Sequence, residues 1–342
     1  MRPPLTATAA RQGGLITRRQ AVEADYSERE LRTLTAVNGA WVVVRRGVYV
    51  ERQVWDAVDP FVGQMALRDR TAHLAMTQPH VLSHDSAARA HALPLLRPPH
   101  SLVHITRAGV GGSRTEHGVK HHLAKRTPTI EVAQELPVTG VARTVVDLGR
   151  EHGLPQGLVA CDRALHLGTP ALDLHAELAV QRSWPGTTKA RAAVRLADGG
   201  AESPGESLAR LLILELGIGE PHTQFPVRVG RTVFWTDIRV GCHLFEFDGR
   251  IKFTRPEQGG VAERPPGDVA WDERKRQQLI CSEGVGMSRL IWDDFWGAAR
   301  ARAKARLRAE YDVTLARFGD VLPEHLARTA AELAGQRHAR RA

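Results

Sequence analysis

The chain has 342 residues, 42% hydrophobic and 25% charged, which is more than one core usually holds and implies two or three domains of ordinary globular composition. No run approaches the ~18 apolar residues of a membrane span, the opening MRPPLTATAARQGG lacks a secretory apolar stretch, and the widely spaced Cys161, Cys242 and Cys281 suit free thiols in a reducing cytoplasm. The net charge of +9 sits at the ends, +4 in residues 1–50 and +5 in residues 297–342, which suits phosphate binding at two places or reflects a bias towards arginine, 41 Arg against 6 Lys.

In chain order, residues 8–50 read as a small DNA-binding unit within a first domain, 1–53. Thr17-Arg-Arg-Gln20 and Ser27-Glu-Arg-Glu30 match the capping box, so two short helices start near 17 and 27. Asp25 and Tyr26 between them make a turn as short as a helix-turn-helix needs. Asn38-Gly39 stops the second helix, and Trp41–Arg45 with Val48–Val50 form a hairpin around Arg46-Gly47. Two helices and a hairpin with a basic tip predict a winged helix-turn-helix, whose second helix enters the major groove. Arg29, Arg32 and Thr33 are then its base or phosphate contacts, and Arg45 and Arg46 its contacts to the backbone. A helical protein-binding module with solvated arginines is the alternative. GGLITRRQAVEADYSERELRTL followed by GAWVVVRRGVYV resembles the N-terminal domain of the AbiEi family of type IV abortive-infection antitoxins. The resemblance implies a winged helix used in DNA binding and autoregulation, with DNA and a cognate toxin as partners.

Residues 54–182 read as an α/β middle domain, opened by a linking helix over 54–78. HVLSHDSAARAHALPLL predicts an amphipathic helix, SLVHITR and HGVKHHLA two short strands, and VTGVARTVVDLGREHG the start of another helix. This run is similar to the segment that follows the winged helix in AbiEi-like proteins, with Ser83, Ser86, Thr144 and Asp147 at its marked positions. Nine of the 16 histidines fall in residues 73–122. His80/His84 and His117/His121 have i, i+4 spacing, but no Glu completes an HExxH and no Cys is near, so they read as structural or surface residues. Residues 183–202 form a linker with a helix ending at Gly199-Gly200.

A further domain spans 203–296. Ser203-Pro204-Gly205-Glu206 starts a helix that runs to about Leu216. Phe225–Val229 is a first strand, and Thr232–Val240 and His243–Asp248 flank a two-residue Gly241-Cys242 turn. That turn fixes the register: residues whose numbers sum to 483 face each other, which sets Asp237 across from Glu246. Opposed residues hold their Cβ atoms about 4.5–5.5 Å apart, so two carboxylates there require something positive between them. Asp248 follows on the same face and Lys252 shortly after. The expected cation is Mg²⁺ or Mn²⁺ on Asp237 and Glu246, with the Phe247 carbonyl as a possible further ligand. A charged helix, Trp271–Ser282, and a strand, Val285–Leu290, complete the order helix, three strands, helix, strand.

That order, with SPGESLAR, TDIRV, FEFDGRIK, DERKRQQL and MSRLIW, resembles the PD-(D/E)XK nucleases, in the branch of the very-short-patch repair endonucleases. The resemblance covers about 95 residues and implies Mg²⁺-dependent phosphodiester hydrolysis. It makes Asp237 and Glu246 metal ligands and Glu206 an outer ligand, although a capping-box role explains Glu206 equally well. The family's E-x-K is E-x-D here, so Asp248 takes the lysine's place, and Lys252 or Lys275 would supply the missing positive charge. The basic tail, 297–342, reads as helical, with arginines all round its axis. The predicted fold is α/β (α+β): a winged helix-turn-helix, an α/β middle region and a restriction-endonuclease-like αβββαβ core with a helical tail. The expected function is that of a cytoplasmic DNA endonuclease placed on duplex DNA by the winged helix. The alternative is a non-enzymatic DNA-binding antitoxin or regulator with a degenerate nuclease fold.

Overall fold

The hydroxyls of Thr17 and Ser27 each accept a hydrogen bond from the backbone N–H three residues on, and the side-chain oxygens of Gln20 and Glu30 accept one from the cap residue's own N–H, starting helices Arg18–Glu23 and Glu28–Leu34. The computed structural model describes residues 1–96, 102–123, 128–249 and 266–334, the side chains of 266–270 excepted. Its architecture is mixed α/β with three separate sheets, in two compact units, Met1–Ala160 with Ala171–Val194, and Cys161–Pro170 with Arg195–Ala342. No helix among the described residues is long and apolar enough to cross a membrane.

The first unit opens with a helix, Pro3–Arg11, and a short strand, Leu15–Thr17, neither of which the capping pattern announced. Leu15–Thr17 pairs antiparallel with Val48–Glu51, which pairs in turn with Trp41–Arg45. Leu5, Ile16, Ala21, Leu31 and Trp41 close a small core beneath the helices. The linking helix is two, Arg52–Ala57 and Gly63–Ala75. Pro60 falls between them, and the Asp59 carboxylate accepts the N–H groups of Phe61 and Val62, a local turn that competes with helix.

The second sheet has six strands. Val81–Leu82, the start of the segment expected to be helical, is one of its inner strands, paired with Val103–Arg107 on one side and at Leu82↔Val138 on the other. Leu82 is fully buried there, and the helix is confined to His84–Ala90. Periodicity cannot foresee this, because the sheet recruits a two-residue strand through partners far along the chain.

In the second unit Ser203 caps the helix Pro204–Leu216. Gly205 is required by packing, since a Cβ there would lie 2.1 Å from the Phe247 ring. The sheet runs His222–Val229, Thr232–Val240, His243–Asp248, Gly286–Ile291, with the last pair parallel. The helix Pro266–Cys281 precedes the fourth strand. The hairpin pairs Ile238↔Phe245, Arg239↔Leu244 and Val240↔His243, each summing to the expected 483. Gly241 adopts φ +55°, the left-handed turn conformation that favours glycine. The tail helix Gly297–Phe318 buries Ala303, Leu307, Tyr311 and Thr314. Its basic side chains are largely paired, Arg300 and Lys304 with Glu215, Arg306 with Asp294 and Arg308 with Asp312.

Candidate functional site

The acidic hairpin keeps its register but acquires its counter-charge from arginine. Glu246 is buried, and Arg276 on the helix Pro266–Cys281 grips both its oxygens, Nη2 to Oε1 at 2.8 Å and Nη1 to Oε2 at 2.9 Å. Arg289 on the parallel neighbour strand lies 3.6 Å from Glu246 and donates to Asp248 Oδ2 at 2.6 Å and Glu273 Oε1 at 2.5 Å. Arg276 also holds Glu273, at 2.8 Å. Burial would push the Glu273 carboxyl up, but the hydrogen bonds and charges of Arg289 and Arg276 outweigh it and hold it below the usual range. Asp237 Oδ2 accepts the Phe247 N–H at 2.8 Å.

The expected Mg²⁺ or Mn²⁺ ligands Asp237 and Glu246 thus lie beside two arginines that the sequence reading did not weigh. Arg276 and Arg289 bring positive charge to Glu246, Asp248 and Glu273, which a sequence argument restricted to lysine passes over. Glu246 has both oxygens on Arg276 and Asp248 is tied to Arg289, so a cation shared with Asp237 would compete with those guanidinium groups. Glu206 accepts from the Ser203 hydroxyl and the Glu202 N–H, each at 2.8 Å, and from Gln224 at 3.3 Å, while its own N–H is capped by the Ser203 hydroxyl at 3.2 Å. Lys275 lies over the Trp271 ring, 5.4 Å from its centroid. Lys252 lies outside the described residues.

On the first unit, Arg29, Arg32 and Thr33 stand on the exposed side of the helix Glu28–Leu34, spaced i, i+3, i+4, while Leu31 faces the core. Arg46 is exposed at the hairpin tip. Arg45 departs from expectation. It is half-buried beside a register shift between Val43 and Arg45, and its guanidinium donates to the His117 carbonyl at 3.2 Å. Among the described residues, Arg29, Arg32 and Arg46 form no salt bridge with a carboxylate.

Sequence reasoning missed a third constellation. His104 and His122 sit on parallel strands whose register pairs His104↔Lys120 and Thr106↔His122, so alternation puts both imidazoles on one face. The helix His84–Ala90 lays His84 against them. His84 stacks on His122 with centroids 3.7 Å apart, and His104 Nδ1 meets His122 Nε2 at 3.1 Å. Among the described residues this is the one group of three His, Cys, Asp or Glu side chains whose ligand atoms gather within 4.8 Å. Burial holds His84 and His104 below the ordinary imidazole range and takes His122 to about 3, so all three are neutral at pH 7. His84 and His122 line a cavity of about 460 Å³, whose wall also carries Lys120, Arg143, Arg150 and Trp184. The i, i+4 spacings pointed to other pairs. The one legible signal is His104 and His122 on two predicted strands, and nothing in sequence tells that those strands are neighbours.

No family model matches the chain. Two uncharacterized proteins of Mycobacterium tuberculosis are similar to it, MT2308 of strain CDC 1551 / Oshkosh and Rv2248 of strain ATCC 25618 / H37Rv. Each is 28% identical over 182 residues, covering 46% of this chain and 67% of the relative.

Proposed function

We propose that the chain is a DNA-binding protein of the regulator class, which meets duplex DNA through the helix Glu28–Leu34 and the Arg46 hairpin. The observation that carries this reading is the exposed row Arg29, Arg32, Thr33 on a helix whose opposite side is anchored by buried Leu31. The preceding helix and the three-stranded hairpin sheet favour a winged helix-turn-helix. A row of unpaired guanidinium groups on a rigid helix suits phosphate oxygens and the O6/N7 edge of guanine. The resemblance to AbiEi antitoxins adds autoregulation and a cognate toxin to the proposal.

The test is fluorescence anisotropy of labelled duplex DNA across a salt series. Each phosphate contact contributes about −0.9 to the slope of log K against log salt. Arg29→Ala, Arg32→Ala and Arg46→Ala together should weaken binding and reduce that slope by about 2–3 where all three contact phosphate. Unchanged affinity and slope would remove the DNA-binding assignment.

A second reading keeps hydrolysis, and Asp237 and Glu246, one position beyond the paired Ile238↔Phe245, within a helix, three-strand, helix, strand order favour it. Incubation of plasmid and single-stranded DNA with Mg²⁺ or Mn²⁺ separates the two. Cleavage lost in Asp237→Asn supports the endonuclease, and intact DNA bound tightly by the wild type supports the regulator.

A further inference from the structure

We infer that His84, His104 and His122 form a three-histidine site for a divalent transition-metal ion of the zinc class, with its remaining coordination position open to the adjoining cavity. The site lies within the first unit and is independent of the DNA-binding face. Imidazole nitrogen is a common ligand of such an ion, and three of them gather here within 4.8 Å. Two nitrogens at about 2.0–2.1 Å from a tetrahedral zinc stand roughly 3.3 Å apart, and the His104–His122 nitrogens already stand at 3.1 Å. His84 Nδ1 is taken by the Ser83 hydroxyl at 3.0 Å, which leaves Nε2 as its ligand atom. Among the described residues His84 Nε2 forms no hydrogen bond, the His104 Nδ1–His122 Nε2 hydrogen bond is exchanged for bonds to the ion, and the His84 and His122 side chains border the cavity. Because the His84 and His122 rings are stacked, one of them turns on binding so that both lone pairs aim at the ion.

The surroundings match what metal-bound histidines require. Asp85 is buried and lies 3.7 Å from His104 Nε2, the nitrogen left over when Nδ1 ligates. At that distance it acts on the ring through its charge, and a small approach on binding would make the carboxylate–histidine hydrogen bond that metal ligands commonly have. A hydrogen bond, His152 Nε2 to Asp85 Oδ1 at 2.6 Å, holds that carboxylate. A purely apolar core would be better served by Val or Leu than by three imidazoles in van der Waals contact. Three protein ligands and an open side describe a site that keeps a water or exchangeable ligand. Softness and geometry exclude Mg²⁺, which prefers oxygen.

The experiment uses the full chain stripped with a chelator. Zn²⁺ is titrated by calorimetry, and Co²⁺ is followed by its visible d–d absorption. The expected result is one equivalent bound, with affinity lowered at least about 100-fold in His104→Ala and His122→Ala and about 10–100-fold in Asp85→Asn. The His73→Ala/His80→Ala double variant, whose rings also meet at 3.0 Å, should bind like the wild type. Zinc absorption fine structure on the wild type, which needs no variant to fold, should show imidazole scattering from three ligands. The proposal is overturned by no saturable binding in the wild type, by carboxylate-dominated coordination, or by binding that survives in His122→Ala and is lost in the His73/His80 variant.

Discussion

Removing Arg276 should unfold the second unit more readily than removing the acid it holds. In Arg276→Ala, Glu246 keeps a charge in a site where its side chain is 6% exposed, with Arg289 left at 3.6 Å as its nearest cation. Breaking a buried pair from one side costs about 3–5 kcal/mol. Arg276 is itself 26% exposed, so water can follow it out, and Arg289 compensates in part; about 2–3 kcal/mol remains. In Glu246→Gln the charge disappears with the partner, and Arg276 retains Glu273 at 2.8 Å and the Trp235 carbonyl at 2.9 Å. That change should cost about 1 kcal/mol. The double variant should be more stable than Arg276→Ala alone, because no buried charge is left without a partner. Urea unfolding followed by tryptophan fluorescence reads the difference as a midpoint about 1–2 M lower for Arg276→Ala than for wild type. A Glu246→Gln midpoint below that of Arg276→Ala would refute the account. So would an Mg²⁺-dependent rise in the wild-type midpoint, since it would mean that a cation competes successfully with the guanidinium.

Three further outcomes are expected. Gly205→Ala should destabilise the second unit by about 1–3 kcal/mol, because a methyl 2.1 Å from the Phe247 ring forces that ring off Phe295; an unchanged thermal midpoint would contradict the packing. One residue inserted between Gly241 and Cys242 should abolish cooperative unfolding of that unit, since a one-residue slip turns fully buried Phe245 outward, and a wild-type melting curve would show the hairpin tolerates another register. Burial takes His243, held between Thr314 and Ser288, to about 4, so the unfolded chain gains a proton near pH 6.5 that the folded chain refuses. Its contribution is complete above about pH 6.5 and is lost as pH falls towards 4, about 3 kcal/mol in total; His243→Gln should flatten that slope in urea titrations, and an unchanged slope would show that His243 does not titrate with unfolding.

The sequence by itself determined the local pieces. Hydroxyl-to-Gln/Glu spacings started the helices at Thr17, Ser27 and Ser203, and the Gly241-Cys242 turn set the hairpin register to the residue, because capping and turn geometry involve only neighbours within a few positions. Tertiary structure decided everything that depends on which elements lie side by side. It chose Arg276 and Arg289 as the counter-charges of Glu246 and Asp248, from a helix and a parallel strand about 30 to 40 residues away. It made a strand of Val81–Leu82 and turned Arg45 towards His117. It also gathered His84, His104 and His122 from a helix and two parallel strands. Charge pairing and ligand clustering act through space over a few ångströms, and a one-dimensional pattern does not record which distant residues come within that range.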